Sequence, residues 1–104
     1  MERVGFTMRV LPGQGAEYRR RHADVWPEML DALKAAGCRD YSIFIRGSDL
    51  FAYLEVDDFP AFRALMAASP VNERWQTEMA DLIDPLTDPA TGFHQRLEEV
   101  FHLD

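Results

Sequence analysis

The chain of 104 residues predicts an α+β fold of the ferredoxin-like kind, an antiparallel sheet with helices on one face. Three observations carry that prediction. Strand and helix patterns follow one another as βαββα(α)β. Two apolar runs, Tyr41 to Arg46 and Leu50 to Val56, flank Gly47-Ser48-Asp49 and read as a hairpin. The same runs carry apolar side chains on both faces: in the first, Tyr41, Ile43 and Ile45 on one and Phe44 on the other; in the second, Leu50, Ala52 and Leu54 against Phe51 and Tyr53. A sheet with one wet face alternates more cleanly. The second face therefore asks for cover from a second copy, which is the homodimer of a dimeric α+β barrel.

The elements follow in order. Val4, Phe6, Met8 and Val10 alternate with Arg3, Gly5, Thr7 and Arg9, the period of a half-buried strand. Pro12-Gly13-Gln14-Gly15 is a turn. From Ala16 the residues Tyr18, His22, Val25, Met29, Leu33 and Ala36 make a helical stripe. Pro27 lacks an amide donor and disfavours helical geometry at Trp26, so a break is expected near Asp24–Trp26. Gly37 is the expected stop. Asp57 or Asp58 can cap a helix with Pro60 in its first turn, and Ser69-Pro70 restarts one through Val71, Trp75, Met79 and Leu82. Asp84 to Gly92 reads as a loop, and Leu97 to Leu103 as a final strand.

Length and composition bound the function. One domain spanning 1–104 is expected, with 47% hydrophobic residues to build a core. A net charge of -7 stands against nucleic-acid binding, which needs a basic surface. The single cysteine, Cys38, allows no internal disulfide and no cysteine-rich metal site. Met1-Glu2-Arg3 leads into an alternating segment rather than an apolar run, and no stretch reaches membrane-spanning length. A cytoplasmic protein without membrane association is expected.

Residues 17–29, EYRRRHADVWPEM, hold the candidate chemistry. Tyr18 and His22 lie four apart, on one helical face. A phenol beside an imidazole supplies a proton donor and an acceptor, and His22 exchanges a proton near neutrality. The same pair would also suit a core edge with satisfied polar tips. Arg19, Arg20 and Arg21 read as a solvated face. His94 falls in a loop and His102 at the end of the chain, without comparable surroundings. There is no HExxH, no paired-cysteine spacing and no glycine-rich phosphate loop, so neither a metal nor a cofactor is expected. Trp75 and Tyr41 pair an aromatic face with one polar tip, which suits a sugar as well as a core.

Three blocks resemble the L-rhamnose mutarotase family: Tyr18-x3-His22-x3-Trp26-Pro27-Glu28, then Glu73-Arg74-Trp75 with Met79, then Leu97-Glu98-Glu99-Val100-Phe101. They stand in the family's order and span the chain. The resemblance implies the dimeric α+β barrel and a cofactor-free aldose 1-epimerase acting on L-rhamnose or a close 6-deoxy sugar. It implies that His22 is the proton donor, that Tyr18 binds the sugar and assists, and that Tyr41 and Trp75 complete the pocket. Gln76 stands where the family carries a second tryptophan, replacing an aromatic wall by an amide that can reach a hydroxyl. Two other classes share the architecture or the pocket: a cofactor-independent monooxygenase or haem-degrading enzyme, and a non-catalytic ligand-binding module. Fold alone does not separate them.

Overall fold

In the computed structural model, which describes residues 1–104, each predicted punctuation residue ends or starts an element. Strand β1 (Glu2–Val10) leads through the turn at Gly13, φ +79°, into α1 (Gly15–His22). The chain breaks at Ala23–Trp26, and Pro27 opens α2 (Pro27–Ala35) from its first position. Gly37, at φ +88°, turns the chain into β2 (Cys38–Arg46). The hairpin then leads into β3 (Asp49–Val56). Asp58 caps α3 (Phe59–Ala67) by accepting from the Ala61 N–H at 3.1 Å. Ser69 caps α4 (Pro70–Met79) by accepting from the Asn72 N–H at 3.2 Å. Two short strands close the chain, β4 (Ile83–Asp84) and β5 (Gln95–Leu97). No helix is long and apolar enough to cross a membrane.

The sheet runs β2-β3-β1-β4, with β5 beside β4 on the same edge of β1, and every pairing is antiparallel. Val4, Phe6, Met8 and Val10 of β1 meet Leu50, Ala52, Leu54 and Val56 of β3 on the face under the helices. The helices contribute Tyr18, Met29, Phe59, Phe62, Met66, Trp75 and Met79 to the same core. The outer face is uncovered in the protomer. There Phe44 pairs directly with Phe51 across the hairpin and is 63% exposed.

One irregularity matters for the site. In the β2–β3 ladder, Arg39 faces Glu55 but Ser42 faces Tyr53, so one extra residue sits on β2. Asp40 adopts φ +51°, a conformation that Asp tolerates better than most residues. The bulge shifts the phase of the strand. Cys38 points under the helices before it, and Tyr41, Ile43 and Ile45 do so after it.

The last strand differs from expectation. β5 ends at Leu97 instead of running to Leu103. Gly5 faces Leu97, so continuing the register would place residue 100 opposite Glu2, where β1 begins. The tail has nothing further to pair with. Arg3 instead holds Glu99 through two N–H donors, at 2.9 and 2.8 Å. Beyond that point Val100, Phe101 and Leu103 are exposed.

Candidate functional site

A cavity of about 580 Å³ lies between the helices and the inner face of the sheet. That is within the ~300–1,000 Å³ usual for small-molecule sites. Thirteen of its nineteen lining residues are hydrophobic. The polar side chains on its wall are therefore few, and each can orient a ligand.

His22 ends α1 and lines this cavity. Its Nδ1 lies 3.1 Å from the Tyr18 carbonyl oxygen. A carbonyl only accepts, so Nδ1 carries the hydrogen, and Nε2 holds a lone pair when the ring is neutral. Burial lowers the pKa of His22, and the bond to the Tyr18 carbonyl opposes that in part. The imidazolium form is thus scarcer than in water and a stronger acid. Three aromatic contacts fix the region: Tyr18 stacks on His22 at 4.1 Å, Trp75 meets His22 edge-on at 5.4 Å, and Trp26 meets Trp75 edge-on at 5.0 Å.

Tyr18 stands beside His22 but does not line the main cavity. It is buried and opens onto an adjoining space of about 300 Å³, shared with His22, Ile43, Ile45 and Leu50. His22 and Ile43 line both spaces, and His22 is the titratable one. Burial pushes the Tyr18 phenol up to about 12, so it is a donor at any ordinary pH. Tyr41 reaches the main cavity because of the β2 bulge, its ring edge-on to Phe6 at 6.3 Å. The residue as a whole is 37% exposed, but the enclosed phenol end is pushed up, first by burial and then by Tyr18 and Cys38.

Trp75 lines the cavity while only 7% exposed, so it belongs to both the core and the wall. Gln76 lines the cavity mouth, and its Nε2 donates to Asn72 Oδ1 at 3.1 Å. Asn72 in turn donates to the Met66 carbonyl at 3.0 Å, which leaves the Gln76 carbonyl oxygen without a partner in this chain.

Sequence reasoning set His94 aside, and the structure places it on the cavity wall. The loop after β4 folds back on itself: Thr87 bridges His94, and the Asp88 N–H donates to the Phe93 carbonyl at 2.7 Å. Phe93 then packs against Phe6 and Phe59, each at 5.1 Å, and carries His94 inward. Arg63, from α3, also reaches the wall. No local pattern announces either residue. The arginine run, by contrast, is largely self-contained. Glu17 takes hydrogen bonds from Arg20 and Arg21, which hold its carboxyl down to about 2.

Comparison with known proteins points one way. A family model described as L-rhamnose mutarotase matches residues 3–103. An L-rhamnose mutarotase of Acidiphilium cryptum is 45% identical over 105 residues, covering 99% of each chain. One of Burkholderia orbicola is 44% identical over 108 residues, covering all of both. The crystal structure of an L-rhamnose mutarotase from Formosa agariphila superposes with a TM-score of 0.81 at 33% identity, over the full length of both chains.

Proposed function

Because the chain belongs to the L-rhamnose mutarotase family, we propose that its cavity opens and recloses the pyranose ring of L-rhamnose, or of a close 6-deoxy sugar, interconverting the α and β anomers. The activity is that of an isomerase. The observation that carries the proposal is His22: an imidazole with a fixed tautomer, on the wall of a mostly apolar cavity of sugar-binding size. The family match favours this reading over the monooxygenase, haem-degrading and binding-module alternatives.

His22 is the proton donor. In its imidazolium form its Nε2–H gives a proton to the ring oxygen as the bond from C1 to that oxygen breaks, and the C1 hydroxyl passes its proton to a solvent water as the carbonyl forms. After rotation about C1–C2, ring closure reverses both transfers, and His22 recovers its proton. Its lowered pKa makes the imidazolium a stronger donor but a smaller fraction of the enzyme, and the product of the two sets the acid catalysis. General acid–base help of this kind supplies about 10²–10⁴-fold. Tyr18 holds the imidazole from behind by stacking and offers its phenol to the sugar through the adjoining space. Tyr41, Trp75 and Gln76 bind the sugar, aromatic faces against its C–H surface and polar tips to its hydroxyls. No cofactor enters this chemistry.

The working unit is a homodimer with residues 1–104 as one domain in each protomer, the outer sheet faces packed together as a dimeric α+β barrel. The exposed Phe44–Phe51 pair supports it, as does exposed Leu97 on β5, which faces Gly5 across the far edge of β1. Such a protein belongs in the cytoplasm. The test is saturation-transfer NMR on the anomeric protons of L-rhamnose, with other aldoses as controls. Exchange accelerated in proportion to enzyme supports the proposal, and exchange at the buffer rate overturns it.

A further inference from the structure

Three polar side chains on the cavity wall have no part in the scheme above; Asn72 is occupied by Gln76 and the Met66 carbonyl, which leaves His94 and Arg63. Both rest against the ring of Phe93. The His94 ring lies 4.8 Å from it, edge-on, and the Arg63 guanidinium carbon lies 5.3 Å from its centroid. The His94 ring also stacks flat on Phe6, at 4.8 Å and 10°. Its Nδ1 lies 2.7 Å from the Pro85 carbonyl oxygen, so Nδ1 carries the hydrogen and Nε2 is left with a lone pair. Burial favours that neutral form. His94 is therefore an acceptor with a fixed direction.

Arg63 is the complement. One of its terminal nitrogens donates to the Thr91 carbonyl at 2.8 Å, which anchors the guanidinium and leaves other N–H donors free. No aspartate or glutamate lines the cavity to occupy them. An acceptor and a donor held on one aromatic platform match neighbouring hydroxyls, which each give one hydrogen bond and take another.

We propose that His94 and Arg63 form a clamp for a vicinal diol of the sugar, with Nε2 of His94 accepting from one hydroxyl and the guanidinium of Arg63 donating to its neighbour. The proposal rests on the sugar-binding reading of this cavity and adds the residues that select hydroxyl pattern. Phe93 adds apolar wall beside the clamp. Discrimination by hydroxyls is stronger than discrimination by shape alone, since a polar group left unpaired in such a site loses its water as well as its partner.

The experiment uses His94→Phe, His94→Gln and Arg63→Gln. Phenylalanine keeps a flat ring on Phe6 and removes the acceptor, whereas glutamine restores an acceptor oxygen. Dissociation constants for L-rhamnose are measured by NMR titration, and kcat and KM by anomer exchange. The clamp predicts that His94→Phe weakens binding and raises KM about tenfold to a hundredfold, with kcat within a few-fold. His94→Gln regains most of that affinity. Arg63→Gln gives an independent reading from α3 if His94→Phe fails to fold.

Binding by His94→Phe and Arg63→Gln within twofold of the wild type overturns the clamp. So does a collapse of kcat with unchanged affinity, which would make His94 a proton carrier. Wild-type protein that neither binds nor exchanges L-rhamnose would instead remove the underlying reading of the cavity.

Discussion

Replacing Trp75 by alanine separates its two duties. The side chain is 7% exposed, packed edge-on to Trp26 and His22, and also forms cavity wall. Deleting a buried tryptophan costs about 3–5 kcal/mol, and the edge-on contacts place this site toward the upper end, at about 0.5–1.5 kcal/mol each. For a domain near this size each kcal/mol moves Tm by about 4–8 °C, so Trp75→Ala should melt at least about 12 °C lower. Far-UV circular dichroism with urea gives the stability, and NMR titration of L-rhamnose gives affinity per folded molecule. Both should fall, because the edge of His22 loses its support along with the wall. Trp75→Phe should recover more of the stability than of the affinity. A stability loss under about 1 kcal/mol would refute the packing argument. A large loss with undiminished affinity would leave Trp75 as core alone.

Three further outcomes are expected. Phe44→Asp should dissociate the proposed dimer: covering the exposed part of this ring contributes about 1–2 kcal/mol, counted twice across a two-fold axis, so sedimentation should show Kd raised about 30- to 700-fold with the fold intact, and a wild-type monomer would remove the barrel. On the alkaline side, Tyr18 and Tyr41 keep their protons while the unfolded chain loses them near pH 10; stability should fall as pH rises above about 10, and tyrosinate absorbance of the folded protein at pH 11 should account for at most one of the three tyrosines. On the acid side, His22 and His94 have lowered pKa values when folded, so the unfolded state binds more protons below about pH 6.5. Urea midpoints should drop from pH 7.5 to pH 5.5, and the double replacement by glutamine should flatten that drop.

Local signals were legible in the sequence because their causes are local. Proline and glycine fixed the break before Pro27 and the stop at Gly37; Ser69 marked one helix start, and the Asp57-Asp58 pair marked another, of which Asp58 is the cap. The shared face of Tyr18 and His22 followed from helical spacing, and the structure brings the two rings together. That Tyr18 sits behind His22 rather than on the main cavity depends on how α1 packs, which spacing does not encode. Tyr41 reaches the cavity through a bulge at Asp40 that the strand pattern did not announce. His94 and Arg63 were missed for a related reason. Their position depends on Phe93 packing against Phe6 and Phe59, residues distant in sequence. The final strand was read too long: residues 101–103 lie past the start of β1 at Glu2 and have nothing to pair with, and an apolar pattern alone does not show where a partner ends.

The most direct test of the account is the anomer exchange rate of L-rhamnose by saturation transfer, per folded molecule, for wild type and His22→Ala. A proton donor contributing about 10²–10⁴-fold predicts a mutant that keeps its fold and dimer and loses nearly all the accelerated exchange across pH 5–8. A mutant that retains more than half of the wild-type rate would contradict the assignment of the chemistry to His22.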